Sequence, residues 1–167
     1  MALLKVKNVA IRGISACVPE HIEENIDLPV FKEGEAERVI AQTKIERKHT
    51  VIDGITLMDL FEQAFEKLVL DLQWERETID AIVVVSNSFE YIVPASACVL
   101  QGKLNLSEDC HAFDIRQGCP GWVIGMSTLS SMMSTGYIKR AILFAGETTT
   151  LMNSPLDKET RPLFGDA

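Results

Sequence analysis

The chain has 167 residues, of which 47% are hydrophobic, 24% charged and only 7% aromatic, and it carries a formal charge of −8 at pH 7. That length suits one domain, and a chain of this size buries roughly 70% of its unfolded surface. The acidic balance argues against a nucleic-acid-binding protein, whose contact face is ordinarily basic, and against broad attraction to anionic membranes.

The start, Met1-Ala-Leu-Leu-Lys-Val-Lys, lacks the apolar run and cleavage site of a secretory signal, so a cytoplasmic protein is expected. Residues 117–138 form an uncharged stretch long enough to span a bilayer. Its proline, glycines and Ser/Thr hydroxyls favour a buried soluble helix instead, and no membrane association is expected. The cysteines at 17, 98, 110 and 119 form no CxxC pair. Cys110 and Cys119 bracket a predicted strand whose ends, at about 3.3 Å per residue, lie on the order of 20 Å apart, too far for a shared metal or a disulfide. Cys17, Cys98 and Cys110 are expected to be reduced and mostly buried.

In chain order, residues 6–14 are apolar and predict a first strand. Residues 20–36 are acidic and broken by Pro29 and Gly34, which predicts a loop or short helix, and residues 35–42 a further short helix. Lys44-Ile-Glu-Arg-Lys-His49 is the densest basic cluster, and is either a solvated loop or a docking spot for an acidic or phosphate-bearing partner. Residues 56–72 place Leu57, Leu60, Phe61, Ala64, Phe65, Leu68, Val69 and Leu72 at helical spacing, with Thr56 or Asp53 as cap. Residues 79–86 and 141–145 are short, continuous apolar runs that predict strands buried on both faces. Between them come a helix over 94–104, a strand over 112–115 and a helix from Pro120 that stops before Gly136. Met126, Met132 and Met133 are expected in the core rather than on a metal. Alternating strands and helices imply an α/β fold with a largely parallel sheet.

The central stretch is His111-Ala-Phe-Asp-Ile-Arg-Gln-Gly-Cys-Pro-Gly-Trp122, a strand that turns at Gly-Cys-Pro-Gly into a helix. Proline suits the first helical position, which puts Cys119 at the N-cap, where the helix dipole favours a thiolate nucleophile. Asp114 is expected to anchor backbone near that turn.

Four motifs then carry a resemblance. Lys44-Ile-Glu-Arg-Lys-His49, Val93-Pro-Ala-Ser-Ala-Cys98, Ala112-Phe-Asp-Ile followed by Cys119-x-Gly121, and Phe164-Gly-Asp-Ala167 resemble, in order and spacing, the G-I-x-x-R, F-P-S-x-A, A-F-D-(x)4-C-x-G and F-G-D-G-A segments of β-ketoacyl-acyl-carrier-protein synthase III, a condensing enzyme of the thiolase superfamily. The resemblance implies that residues 1–167 are a truncated N-terminal thiolase-like domain. It further implies a mixed, mostly parallel, five-stranded-type sheet flanked by helices, and a buried central helix starting at the nucleophile cysteine. Homodimers are also implied.

By the same resemblance Cys119 accepts an acyl group, and a decarboxylated malonyl-acyl carrier protein (malonyl-ACP) then attacks it, so acyl carrier protein (ACP) is the implied partner and no cofactor is bound. The family's catalytic histidine and asparagine come from its second half. His21, His49 and His111 match no catalytic motif. Arg38 and Gln42 stand where typical members carry the tryptophan and arginine that clamp coenzyme A, which leaves acyl-CoA and acyl-ACP both open as donors. Lys44, Arg47 and Lys48 are either solvated or dock the carrier protein. Val93 stands where typical members carry a phenylalanine that enters the partner subunit's acyl tunnel. Two other readings are kept: a cysteine hydrolase using His49 or His111 as base, and a non-catalytic half-domain.

Overall fold

The computed structural model describes residues 4–52 and 54–167; Met1–Leu3 and Asp53, the second candidate cap, lie outside the described residues. The architecture is α/β, with two sheets and flanking helices. Strands β1 (Ile22–Glu24) and β2 (Arg47–His49) pair antiparallel, and helix α1 (Glu35–Thr43) lies between them in sequence. Strands β3 (Ala81–Ser86), β4 (His111–Arg116) and β5 (Ala141–Ala145) form a parallel sheet in the order β4-β3-β5. Helices α2 (Leu57–Leu72), α3 (Ser96–Lys103) and α4 (Gly121–Met133) cover it.

The β3 run explains the layering. Alternate residues of a strand point to opposite faces. Ile82 and Val84 join Leu57, Phe61, Phe65 and Leu100 on the α2/α3 side, whereas Val83 and Val85 join Leu129 of α4 on the other. All six β3 residues are buried, as a run apolar on both faces requires. Helix α2 begins in a capping box. Thr56 Oγ1 accepts from Asp59 N at 3.2 Å, and Thr56 N donates to Asp59 Oδ2 at 2.9 Å.

Several expectations are corrected. The sheet is not five-stranded: three parallel strands and a separate antiparallel pair make up the strands of the described residues. The pair was not foreseen, because acidic and basic segments with little apolar patterning form it. Residues 6–14 make no strand. Asn8 has a left-handed backbone (φ 61°), which breaks the extended run, and residues 9–17 instead line, with α2, α4 and β5, a cleft of about 360 Å³. Strand β5 is buried only at Ile142 and Phe144, which face the α2/α3 core, while Ala141 and Leu143 point to the α4 side and are only partly covered there. Helix α4 is not a buried central helix. Gly121, Gly125 and Leu129 are buried, but Trp122 is 50% and Val123 62% exposed. Its uncharged sequence does not distinguish a helix covered all round from one with an open apolar face.

Candidate active site

Because β3, β4 and β5 are parallel, their C-terminal ends meet at one edge of the sheet. The crossovers β3–α3–β4 and β4–α4–β5 lead to opposite neighbours of β3, so the loops diverge there and leave room for a ligand. Cys119 stands at this edge and is exposed. It sits in a tight turn: Gly121 N donates to Gly118 O at 2.7 Å, and Ile124 N makes the first helical bond, to Pro120 O at 3.0 Å. Pro120 is therefore the N-cap rather than the first helical residue, and Cys119 stands one position before the cap. The turn tolerates the proline because its closing donor is the Gly121 N–H, so no N–H is required at position 120.

Helix α4 approaches the sheet closely because glycine faces it. A Cβ on Gly121 would lie 2.5 Å from Val85 Cγ1, and one on Gly125 2.6 Å from Leu143 Cδ1. Any side chain would push the helix start, and the thiol before it, away from β3.

The neighbouring loops are tied down by two carboxylates. Asp114 on β4 accepts from Ser96 N at 2.7 Å and Ala97 N at 2.8 Å, and so caps α3 with a charge at its N-terminus. It anchors backbone, although of the preceding helix rather than of the cysteine turn. Glu147, just beyond β5, accepts from Asn87 N (2.8 Å), Ser88 N (2.9 Å), Ser86 Oγ (3.0 Å) and Ser88 Oγ (2.8 Å), all at the end of β3. Asn87 in turn lies against the cysteine turn, since a Cβ on Gly118 would stand 3.1 Å from Asn87 Nδ2. Sequence reasoning missed Asn87 and Glu147. The available signal was polar residues set immediately after the C-terminal ends of two buried parallel strands.

The remaining expected residues are scattered. Arg38 and Gln42, one turn apart on α1, line a shallow open depression with Phe31, Glu35, Val39 and Lys158. Lys44 is exposed at the end of α1, and Arg47 is exposed on β2. Lys48 is buried, and this removes it as a surface docking residue: its ammonium pairs with Glu23 and reaches Asn25 Oδ1 at 3.3 Å. Burial by itself raises the Glu23 carboxyl, but hydrogen bonds from Arg161 and Lys48 outweigh it and hold the group below its ordinary value. Val93 is 81% exposed in an apolar loop with Tyr91 and Ile92.

Among the described residues no hydrogen bond joins any of the three histidines to the thiol. His49 Nδ1 donates to Pro19 O at 2.6 Å, His21 Nδ1 meets Thr50 Oγ1 at 2.7 Å, and His111 begins β4, the strand whose far end leads to Cys119. Cys110 is buried, and desolvation, aided by Asp80, pushes its thiol up to about 11. Cys17 is also raised by burial. Contrary to expectation, Cys98 is exposed. Among the described residues no cluster of His, Cys, Asp and Glu is arranged to hold a metal ion, and no helix is long and apolar enough to cross a membrane.

A parallel sheet and an antiparallel pair with flanking helices make an α/β fold that is broadly thiolase-like. More narrowly, the chain matches the β-ketoacyl-acyl-carrier-protein synthase III family over most of its length. The sequence model of 3-oxoacyl-acyl-carrier-protein synthase III matches residues 113–167, from β4 through the thiol to the last residue. The curated β-ketoacyl-acyl-carrier-protein synthase III 1 of Vibrio vulnificus is 30% identical over 156 residues, 93% of this chain and 49% of the relative. The synthase III of Acholeplasma laidlawii is 32% identical over 165 residues, 97% of this chain and 53% of the relative. The crystal structure of a 3-oxoacyl-(acyl-carrier protein) synthase from Burkholderia xenovorans LB400 superposes with a TM-score of 0.87 at 33% identity, covering 92% of this chain and 45% of that one. The chain thus spans about half the length of the relatives it matches.

Proposed function

We propose that this chain is the nucleophile-bearing, N-terminal thiolase-like half of a condensing acyltransferase. The observation that carries the reading is Cys119, exposed in the turn between β4 and α4 within the segment that matches the synthase III family. In this reading the Cys119 thiolate attacks the carbonyl carbon of an acyl thioester. The donor's C–S bond breaks, and its thiol leaves with a proton. Loss of CO2 from malonyl-ACP supplies the electron pair that forms the new C–C bond to the acyl carbon, and the Cys119 thiolate is released. In this reading the backbone N–H of Cys119 receives the developing oxyanion, since Pro120 has none and that of Gly121 is taken by Gly118 O. A histidine and an asparagine for the decarboxylation come from outside residues 1–167.

ACP is the partner this chemistry calls for. Lys44 and Arg47, exposed cations that follow α1 in the chain, supply a docking charge, and Arg38 and Gln42, in the α1 depression, the donor-side contact. The exposed Tyr91-Ile92-Val93 loop and the open face of α4 at Trp122 and Val123 offer apolar surface to a second half and to a second subunit of a homodimer. The test is product analysis on the protein that carries this chain, given an acyl-CoA or acyl-ACP together with malonyl-ACP. A 3-oxoacyl-ACP product, lost in Cys119→Ala, is expected. Free acid as sole product would overturn the reading in favour of a hydrolase.

A further inference from the structure

The Glu147 cluster has more hydrogen bonds than strand ends need, and it closes on one residue. Glu147 sits at the end of β5, and its two oxygens hold the loop after β3 through the four bonds described above. A fifth bond, from Thr148 N to Ser88 Oγ at 2.8 Å, ties the same two strand ends. The β5 side is itself fixed by the chain tail, with Glu147 N donating to Ala167 O at 2.9 Å and Ala167 N donating to Glu147 O at 3.1 Å. Asn87 lies in the middle of the held loop. Its backbone N–H is taken by Glu147, while its carboxamide nitrogen would lie 3.1 Å from a Cβ built on Gly118, the residue before the thiol.

We propose that Asn87 is a further active-site residue, its carboxamide held against the nucleophile turn within electrostatic reach of Cys119, and that Glu147 is the positioning residue that seats it. The inference rests on Cys119 as acyl acceptor and adds a neighbour to it. The residue type fits the place. A carboxamide presents a hydrogen-bond donor without a charge, whereas a carboxylate there would oppose the thiolate. Glu147 acts at a distance, through backbone N–H groups that only an acceptor on both of its oxygens can satisfy together.

The experiment follows iodoacetamide labelling of Cys119 against pH by peptide mass spectrometry, with the exposed Cys98 as reference thiol in the same sample. Asn87→Asp keeps the side-chain shape and adds a negative charge, and is expected to raise the Cys119 labelling midpoint by about half a pH unit or more while Cys98 stays in place. Glu147→Gln keeps the volume but can accept on one oxygen only, so part of the loop loses its acceptor. In the double variant the shift is expected to fall to less than half of that in Asn87→Asp alone. A Cys119 profile unmoved in Asn87→Asp, or moved equally with Cys98, overturns the assignment of Asn87. An undiminished shift in the double variant overturns the role of Glu147. Labelling needs no acyl donor, so these results are distinct from failure of the wild-type chain to take an acyl group, which would overturn the acyltransferase reading itself.

Discussion

Replacing Gly121 by alanine tests whether the close contact of α4 with the sheet sets the position of the thiol. The new Cβ would lie 2.5 Å from Val85 Cγ1 and 3.1 Å from Gln117 Cβ, against an ordinary carbon contact of about 3.5–4.0 Å. Val85 is buried and β-branched, so it has little freedom to turn aside. Overpacking of this kind costs about 1–3 kcal/mol. Alanine regains up to about 1 kcal/mol over glycine inside a helix, but less at the first helical residue, which leaves a net loss of about 2 kcal/mol. For a chain of this size that lowers Tm by roughly 4–8 °C. Urea unfolding measures the loss, and a cycle with Val85→Ala isolates its cause. With both γ-methyls gone, Gly121→Ala should be close to neutral, giving a coupling energy of about 1 kcal/mol or more. A Gly121→Ala variant within about 0.5 kcal/mol of wild type, or strictly additive with Val85→Ala, would refute the contact as the reason for the glycine.

Asp114→Ala removes the acceptor of two α3 backbone N–H groups and should cost about 2–3 kcal/mol in urea unfolding, with Asp114→Asn losing less. Lys48→Met should destabilise by about 2 kcal/mol or more, because it leaves the half-buried Glu23 with Arg161 alone, yet leave binding to ACP unchanged. Lys44→Glu with Arg47→Glu should weaken that binding while sparing stability, as read by titration and unfolding in parallel. Glu23 and Asp59 are both held below their ordinary values of 4.5 and 3.8. In each, burial acts upward and is outweighed by hydrogen bonds, from Arg161 and Lys48 for Glu23 and from Thr56 and Lys103 for Asp59. A lowered folded-state value means the stabilisation is present above the unfolded value and is lost as pH falls through the folded one. Unfolding free energy should therefore drop on acidification below about pH 4.5, and Glu23→Gln should flatten that drop. Cys110, raised to about 11 by burial and Asp80, should resist iodoacetamide at pH 8 while Cys98 and Cys119 react.

What the sequence disclosed follows from which interactions are local. The α2 periodicity and its Thr56 cap appear in the sequence because helix spacing and capping act within a few residues, and β3 because burial on both faces leaves no room for polar residues. The β1–β2 pair was hidden because its support is a Glu23–Lys48–Arg161 ion cluster assembled from segments far apart in the chain. The same cluster turned Lys48 from a candidate docking residue into a buried one. The α4 reading erred because hydrophobicity gives no direction: glycine and Leu129 face the sheet, while Trp122 and Val123 face outward. The exposed turn that carries Cys119 was legible from its Gly-Cys-Pro-Gly sequence, although Pro120 rather than Cys119 is the cap. Asn87 and Glu147 were not, because what joins them to Cys119 is the parallel order of β4, β3 and β5, which brings three strand ends to one edge.

The most direct test of the central claim is the mass of the Cys119 peptide after incubation with a panel of acyl-CoA and acyl-ACP donors. One acyl mass on Cys119, none on Cys17, Cys98 or Cys110, and no adduct in Cys119→Ala is the predicted result. No acyl adduct on any cysteine across the panel, or one that survives Cys119→Ala, would contradict it.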